Sequence, residues 1–306
     1  LPACKPYLLP TQWNRRGKPM AIRLAVPNKG RLNERAVELL LKSGIDLGED
    51  WGRRLYVTAR DQGVEVMFVR AQDIPAFIAS GAIDLGVTGE DIAAESGAPL
   101  KRLMGLEFGH CRLSVAAPES SGIKGEGDIP DGARVATSFP RLTREFFESK
   151  GKGVEVIEIS GAAEIMPYLG ISDLIVDLVA SGSTLKMNRL AEVAKIMDSQ
   201  AAVFTSEASL KAKGAEIADV VDSIRSVMAA EERKYLMADV PKGRLGDVGR
   251  MFPGIGGPTV LSIAGNDEMV AVHVVIASKD VYKAVNDLKR LGAKGILSVT
   301  IDRLVE

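Results

Sequence analysis

The chain has 306 residues, 46% hydrophobic and 26% charged, a composition that supports two or three soluble globular domains. Its net charge of −1 leaves no broad basic field for nucleic acid, so any recognition of phosphate must be local. No apolar run reaches the roughly 18 residues that suggest a membrane span, and Cys4 and Cys111 form neither a zinc pattern nor a disulfide framework.

A reducing cytoplasm fits this cysteine usage, and residues 1–19 lack the layout of a secretory signal. The first clean strand follows Met20, so the folded part is expected to begin there, with residues 1–19 as an extension. A strand ("AIRLAV"), a Pro-Asn-Lys-Gly turn and an amphipathic helix ("LNERAVELLLKSG") come first, with Gly44 as the helix stop. "RRLYVTA" and "VEVMFVR" read as a hairpin across "RDQG". Helix, short strand and helix then alternate through "DIPAFIASG", "AIDLGVTG" and "EDIAAESG", with a glycine at each junction.

A second α/β series follows: "RLSVAAP", "ARVATS", the helix "PRLTREFFESKG" and "VEVIEIS", with a surface loop over residues 118–132. "LIVDLV" and "AAVFTS" are further strands, and residues 207–237 read as mostly helical. The last 70 or so residues give strand, helix, strand, strand, helix, strand, the βαββαβ order of a ferredoxin-like module.

The segment "DLIVDLVASGSTLKMN" starts as a buried strand and ends in Ser181, Gly182, Ser183 and Thr184. At a sheet end such residues can form an anion-binding nest, and Asp177 could then accept from sugar hydroxyls or face a metal ion. A turn followed by a helix cap explains the same residues equally well. In "PNKGRLNE", Lys29 and Arg31 flank Gly30 after the first strand, where a cationic pair suits a polyphosphate and a solvated helix start is the simpler local reading. Arg70, Asp73, Gly89, Glu90 and Asp91 bracket the next helix and strand, and Glu90 or Asp91 is expected to cap a helix. His110 and His273 are expected to be core or surface residues rather than catalysts, and Cys111 a small buried residue rather than a nucleophile.

Taken together, "LAVPNKGRL", "VRAQDIPAFIASGAIDLGVTGEDI", "EFGHCRLSVAAP", "RVATSFPRLTREFF" and "SDLIVDLVASGSTLKMNRL" resemble the ATP phosphoribosyltransferase family over nearly the whole chain from Met20. The terminal "FPGIGGPTVLSIAGNDEMVAVHVVIASKDVYKAVNDLKRLGAKGIL" resembles the regulatory domain of that family's long form. The resemblance implies two lobes of the type II periplasmic-binding-protein kind around a cleft, followed by the ferredoxin-like regulatory domain. The expected boundaries are residues 20–105 with 200–230, residues 106–199, and residues 231–306.

The implied reaction joins N1 of the ATP adenine to C1 of phosphoribosyl pyrophosphate and releases pyrophosphate, with Mg²⁺ held largely through substrate. It needs no protein nucleophile. Carried over residue by residue, the resemblance makes Glu164 and Asp177 the leading acidic pair. It gives Asp177, Ser181, Gly182, Ser183 and Thr184 to phosphoribosyl pyrophosphate. Lys29, Gly30, Arg31 and Arg70 go to ATP, with Asp73, Gly89, Glu90 and Asp91 as lesser candidates. Asp239 and Thr259 match positions for inhibitory histidine, with local turn hydrogen bonding as the alternative. The family also implies a homo-oligomer, dimer to hexamer. A sensor on the same two-lobed fold, or a transferase with another acceptor base, are the competing readings.

Overall fold

Apolar strands alternating with glycine-stopped helices build the first lobe. In chain order these are β1 (Ile22–Pro27), α1 (Arg31–Lys42), β2 (Tyr56–Thr58), β3 (Val64–Val69), α2 (Ile74–Ala79), β4 (Leu85–Gly89), α3 (Glu90–Ser96) and β5 (Lys101–Gly105). The second lobe holds β6 (Cys111–Pro118), β7 (Ala133–Thr137), α4 (Pro140–Ser149), β8 (Val154–Glu158), β9 (Leu174–Val179), α5 (Ser183–Met187) and β10 (Leu190–Ser199). The chain returns through β11 (Ala201–Thr205) and α6 (Glu207–Glu231), then forms β12 (Arg233–Pro241), α7 (Leu245–Met251), β13 (Thr259–Ile263), β14 (Asn266–Ala277), α8 (Val281–Arg290) and β15 (Lys294–Thr300). This computed structural model describes residues 21–48, 51–59, 63–253 and 257–305, so Cys4, the 1–19 extension and most of "RDQG" lie outside the described residues.

The chain divides into two units, the first comprising Leu1–Val37 with Ile45–Ile217 and the second Glu38–Gly44 with Ala218–Glu306. Within the first unit the two sheets have orders β2-β3-β1-β4-β11-β5 and β10-β6-β9-β7-β8. Apart from the edge hairpin strand β2, they share one plan. Three parallel strands (β3, β1, β4 in one, β8, β7, β9 in the other) are followed by an antiparallel strand delivered by the crossing chain, β11 or β6, and then a last strand. Strands covered on both faces read as continuous apolar runs, which is why Leu24, Ala25, Val26, Leu174, Ile175 and Val176 are fully buried.

The two crossing segments hydrogen-bond to each other: Leu106 N donates to Ala201 O and Ala201 N to Phe108 O, both at 2.9 Å. A second tie is reciprocal. The Glu95 carboxylate on α3 accepts from the Arg141 and Leu142 amides at 2.8 and 2.9 Å, capping α4 of the other lobe, while the Arg141 side chain donates to the Ala94 and Glu95 carbonyls that end α3. A buried ion pair, Lys213 Nζ to Asp84 at 2.7 Å, fixes α6 where its backbone departs from helical geometry at Lys213.

In the second unit, β13-β14-β12-β15 form an antiparallel sheet whose order is that of a ferredoxin-like fold, as the sequence predicts. Leu236, Ala238, Val240, Val270 and Val272 pack on one face with Val248 of α7 and Leu288 of α8. Gly44 ends α1 at φ +77, the predicted stop.

Two expectations need correction. The helix predicted over residues 207–237 stops at Glu231, because Leu236, Ala238 and Val240 alternate into the sheet core as a strand from Arg233. The strand β10 was not expected: its Ala, Glu and Lys content favours helix, and two register shifts break its alternation.

Candidate active site

The parallel strands of each sheet end on one edge, where loops can gather around a ligand. In the first lobe, β1 delivers Lys29, Gly30 and Arg31, β3 delivers Arg70 and Asp73, and β4 delivers Gly89 and Glu90. Gly30, at φ +79, turns the chain into α1, and Asn33 braces the turn by donating Nδ2 to Pro27 O at 2.6 Å. Lys29, Arg31, Arg70 and Asp73 are exposed around this edge.

The acidic residues after β4 behave differently from the expected helix caps. Glu90 pairs with Arg102 at 2.5 Å, and Asp91, only 3% exposed, accepts from Ser199 Oγ at 2.6 Å. No side chain of α3 itself caps that helix. Its first amides instead reach the returning chain, Glu90 N to Gln200 O at 3.0 Å and Asp91 N to Ser199 Oγ at 3.1 Å.

In the second lobe, β8 leads to Glu164 and β9 leads through Ala180 to the Ser181–Thr184 run, which is both a bend and the start of the short helix α5. Gly182 is left-handed at φ +77, a conformation open to glycine at no steric cost. Ser181, Ser183 and Thr184 are exposed. Among the described residues, the side-chain approach to these amides is that of Ser181 Oγ, 3.4 Å from Ser183 N, and the two serine hydroxyls lie 2.9 Å apart.

Asp177 and Glu164, distant in sequence, lie close enough for the charge of one to act on the other. Burial pushes the Asp177 carboxyl up, the Leu178 amide bonded at 2.7 Å opposes this, and the Glu164 charge adds to the rise. Among the described residues no group of three or more His, Cys, Asp or Glu side chains forms a metal cage. A pair of carboxylates suits a Mg²⁺ ion carried mainly by substrate oxygens.

A cavity of about 430 Å³ joins the two lobes within the first unit. Arg31, Gly89 and Asp91 line it from one side and Leu178 from the other, while Asp177, Glu164 and residues 181–184 are not among its lining residues. The sequence reading missed several of its walls, among them Arg35, Phe108 and Gln200. Arg35 follows Arg31 by one helical turn and sits 5.8 Å from the Phe108 ring centroid, a spacing that helix periodicity could have suggested. Phe108 and Gln200 belong to the crossing segments, whose local pattern does not show that they line a cavity.

Cys111 also lines this cavity and is only half-buried, where a buried residue was expected. Burial, and then the Asp91 charge, push its thiol up, which disfavours a thiolate nucleophile. His110 is exposed at the surface, 3.8 Å from Glu107, and His273 bonds Tyr235 Oη at 2.8 Å.

In the second unit, Asp239 and Thr259 are both strand residues. Asp239 pairs with Ala271 and Thr259 with His273, so they share the sheet face opposite α7 and α8, with β14 between them, roughly 12 Å apart by two strand spacings across and two residues along. Gly295, at φ +57, leaves room beside Asp239, since a Cβ there would lie 3.1 Å from its Oδ2.

Residues 70–226 match the family described as ATP phosphoribosyltransferase, and residues 230–303 match the HisG C-terminal domain. The chain belongs to the ATP phosphoribosyltransferase family. The second match makes it the long form. An ATP phosphoribosyltransferase of Methanococcus maripaludis is 41% identical over 288 residues, 93% of this chain and 100% of its own length. That of Haloarcula marismortui is 44% identical over 286 residues, again 93% and 100%. Among solved structures, the ATP phosphoribosyl transferase (HisG:HisZ) complex from Thermotoga maritima aligns with TM-score 0.61 and 30% identity, covering 68% of this chain and 98% of that one. No helix among the described residues is long and apolar enough to cross a membrane.

Proposed function

We propose that this chain condenses ATP with phosphoribosyl pyrophosphate to give N1-phosphoribosyl-ATP and pyrophosphate, the first step of histidine biosynthesis, in the cytoplasm. The observation that carries this reading is a chain of this family in which the parallel strands of each lobe end in loops that bear different groups. A cationic edge with Lys29, Arg31 and Arg70 faces nucleotide phosphates, and an open hydroxyl-rich loop stands beside the Asp177 and Glu164 carboxylates.

Departure of pyrophosphate leaves positive charge on the ribose C1, and the adenine N1 must then approach in line. The amides and hydroxyls of Ser181, Gly182, Ser183 and Thr184 hold the 5′-phosphate and so fix the ribose. Asp177 and Glu164 accept from the ribose hydroxyls and supply negative charge near the developing cation. Arg31, with Lys29, Gly30 and Arg70, holds the nucleotide, while Asp73, Gly89, Glu90 and Asp91 shape that side of the cleft. Bound with the pyrophosphate, Mg²⁺ would stabilise the leaving group's charge. The reaction uses no thiolate or hydroxyl nucleophile, in keeping with the raised Cys111 thiol.

Incubation with ATP, phosphoribosyl pyrophosphate and Mg²⁺ is expected to yield phosphoribosyl-ATP. Folded protein that binds both compounds without turnover would favour the sensor, and conversion of another base would favour a different acceptor.

Asp239 and Thr259 of the ferredoxin-like module are proposed to hold inhibitory histidine, with the carboxylate pairing to its amino group, in a homo-oligomer that ranges from dimer to hexamer. Replacing Asp239 with Asn in the full chain is expected to weaken histidine inhibition and leave turnover without histidine unchanged. Unaltered inhibition would remove Asp239 from the effector site.

A further inference from the structure

The loop given to the 5′-phosphate starts at Ala180, and its first carbonyl is held from the neighbouring strand. Arg112 on β6 donates Nη1 to Ala180 O at 3.2 Å, while Nε and Nη2 form a two-point pair with Glu192 on β10 at 2.7 and 2.5 Å. Ser114 Oγ donates to the same Glu192 carboxylate at 2.8 Å, and Ser114 is the register partner of Asp177 on β9.

Three adjacent strands thus carry one polar row: Glu192, then Arg112 with Ser114, then Asp177. Strand alternation puts this row on the face where Ala116, Ile175 and Val179 pack with Leu185 of α5 and Ala163 beside Glu164. The register shift immediately after Glu192 is the kind of bulge that re-aims a side chain.

We propose that Arg112 and Glu192 form a positioning pair that sets the phosphoribosyl pyrophosphate loop, a role that rests on the assignment of residues 180–184 to that substrate. Three considerations point to positioning rather than direct contact. The fork of Arg112 is already engaged on all three nitrogens by protein acceptors. Its charge is matched by Glu192, whose own carboxyl is held down by the Arg112 hydrogen bond. The loop has an exposed tip and a left-handed Gly182, so a fixed carbonyl at Ala180 limits the directions in which the following amides face. Lysine, with a point charge, cannot bind the carboxylate in two-point planar geometry and the carbonyl together.

The test is steady-state kinetics on the full chain with Mg²⁺, varying each substrate in turn. Arg112→Ala is expected to raise the KM for phosphoribosyl pyrophosphate about tenfold, as loss of a charge-assisted pair and a carbonyl anchor implies. Arg112→Lys and Glu192→Gln should raise it about threefold, the lysine partly rescuing the alanine variant. In each, kcat should fall less than the KM rises and the KM for ATP should stay within about twofold of wild type. The double variant Arg112→Ala/Glu192→Ala should resemble Arg112→Ala alone, because the two act as one unit.

If Arg112→Ala lacks a wild-type melting curve, the two milder variants carry the test. Equal rises for both substrates, a Glu192→Gln variant indistinguishable from wild type, or an additive double variant would overturn the pair's positioning role. Wild type that makes no phosphoribosyl-ATP would overturn the functional reading and the pair with it, whereas active wild type with unsplit variants overturns the pair alone.

Discussion

The two lobes of the first unit repeat one strand order, yet the junction after the third parallel strand differs between them. After β4 the chain enters α3 directly, and Gln200 O and Ser199 Oγ take the first amides. After β9, Ala180, Ser181 and Gly182 intervene, and the Ser/Thr hydroxyls remain exposed. The same topological place is filled by the returning chain in one lobe and open in the other. A sheet end therefore offers a place for an anion, and the chain that crosses it decides whether the place is used.

Breaking the open junction should affect chemistry, and breaking the filled one should affect stability. The largest effect is expected for Asp177→Asn, which should lower kcat/KM for phosphoribosyl pyrophosphate by about 100-fold while ATP binding changes little. Equal losses for the two substrates would remove Asp177 from that subsite.

Gly182→Val should follow, at roughly 30-fold, because a β-branched residue is strained at φ +77, although an added Cβ would make only an ordinary contact with Val179 Cγ1 at 3.9 Å. The matching change in the other lobe, Gly89→Ala, pushes a Cβ onto the Asp91 carboxylate and should instead destabilise the fold by about 1–3 kcal/mol, read as a lower melting temperature. Loss of stability at Gly182 with preserved catalysis would reverse the comparison.

Thr184→Val should raise the KM for phosphoribosyl pyrophosphate about tenfold, the value of one good hydrogen bond to a charged group. An unchanged KM would take this hydroxyl out of the loop's donor set.

The smallest effect is on stability against pH. Burial, then Glu164, raise the folded-state pKa of Asp177 above its ordinary 3.8, so the folded protein takes up this proton at higher pH than the unfolded chain. Its ionised form therefore weighs against folding at neutral pH, and that penalty disappears as pH falls through the folded pKa to below the unfolded one. Asp177→Asn should raise the melting temperature at pH 7 by about 1–3 °C, and the gain should fade on acidification. A gain that grows on acidification would contradict the burial argument.

Much of this plan is legible in the sequence. The strands β1, β3, β4, β7, β8 and β9 show as apolar or alternating stretches between turn residues, and the βαββαβ order of the terminal module shows in its alternation. The strand β10 is hidden because its pairing is interrupted beside Glu192 and Lys195. Asp177 and the SGST run were visible as a motif, but their environment was not. That the Glu164 charge acts on Asp177, that Arg112 reaches Ala180, and that Asp91 is buried against Ser199 are consequences of how distant segments pack. Local pattern carries no information about such contacts.

Hydrogen–deuterium exchange of the full chain, with and without phosphoribosyl pyrophosphate and Mg²⁺, tests the difference between the two junctions most directly. Protection is expected to concentrate in residues 180–187, with residues 89–92 unchanged because the protein itself already occupies their amides. Protection at residues 89–92 with none at 180–187 would contradict the account.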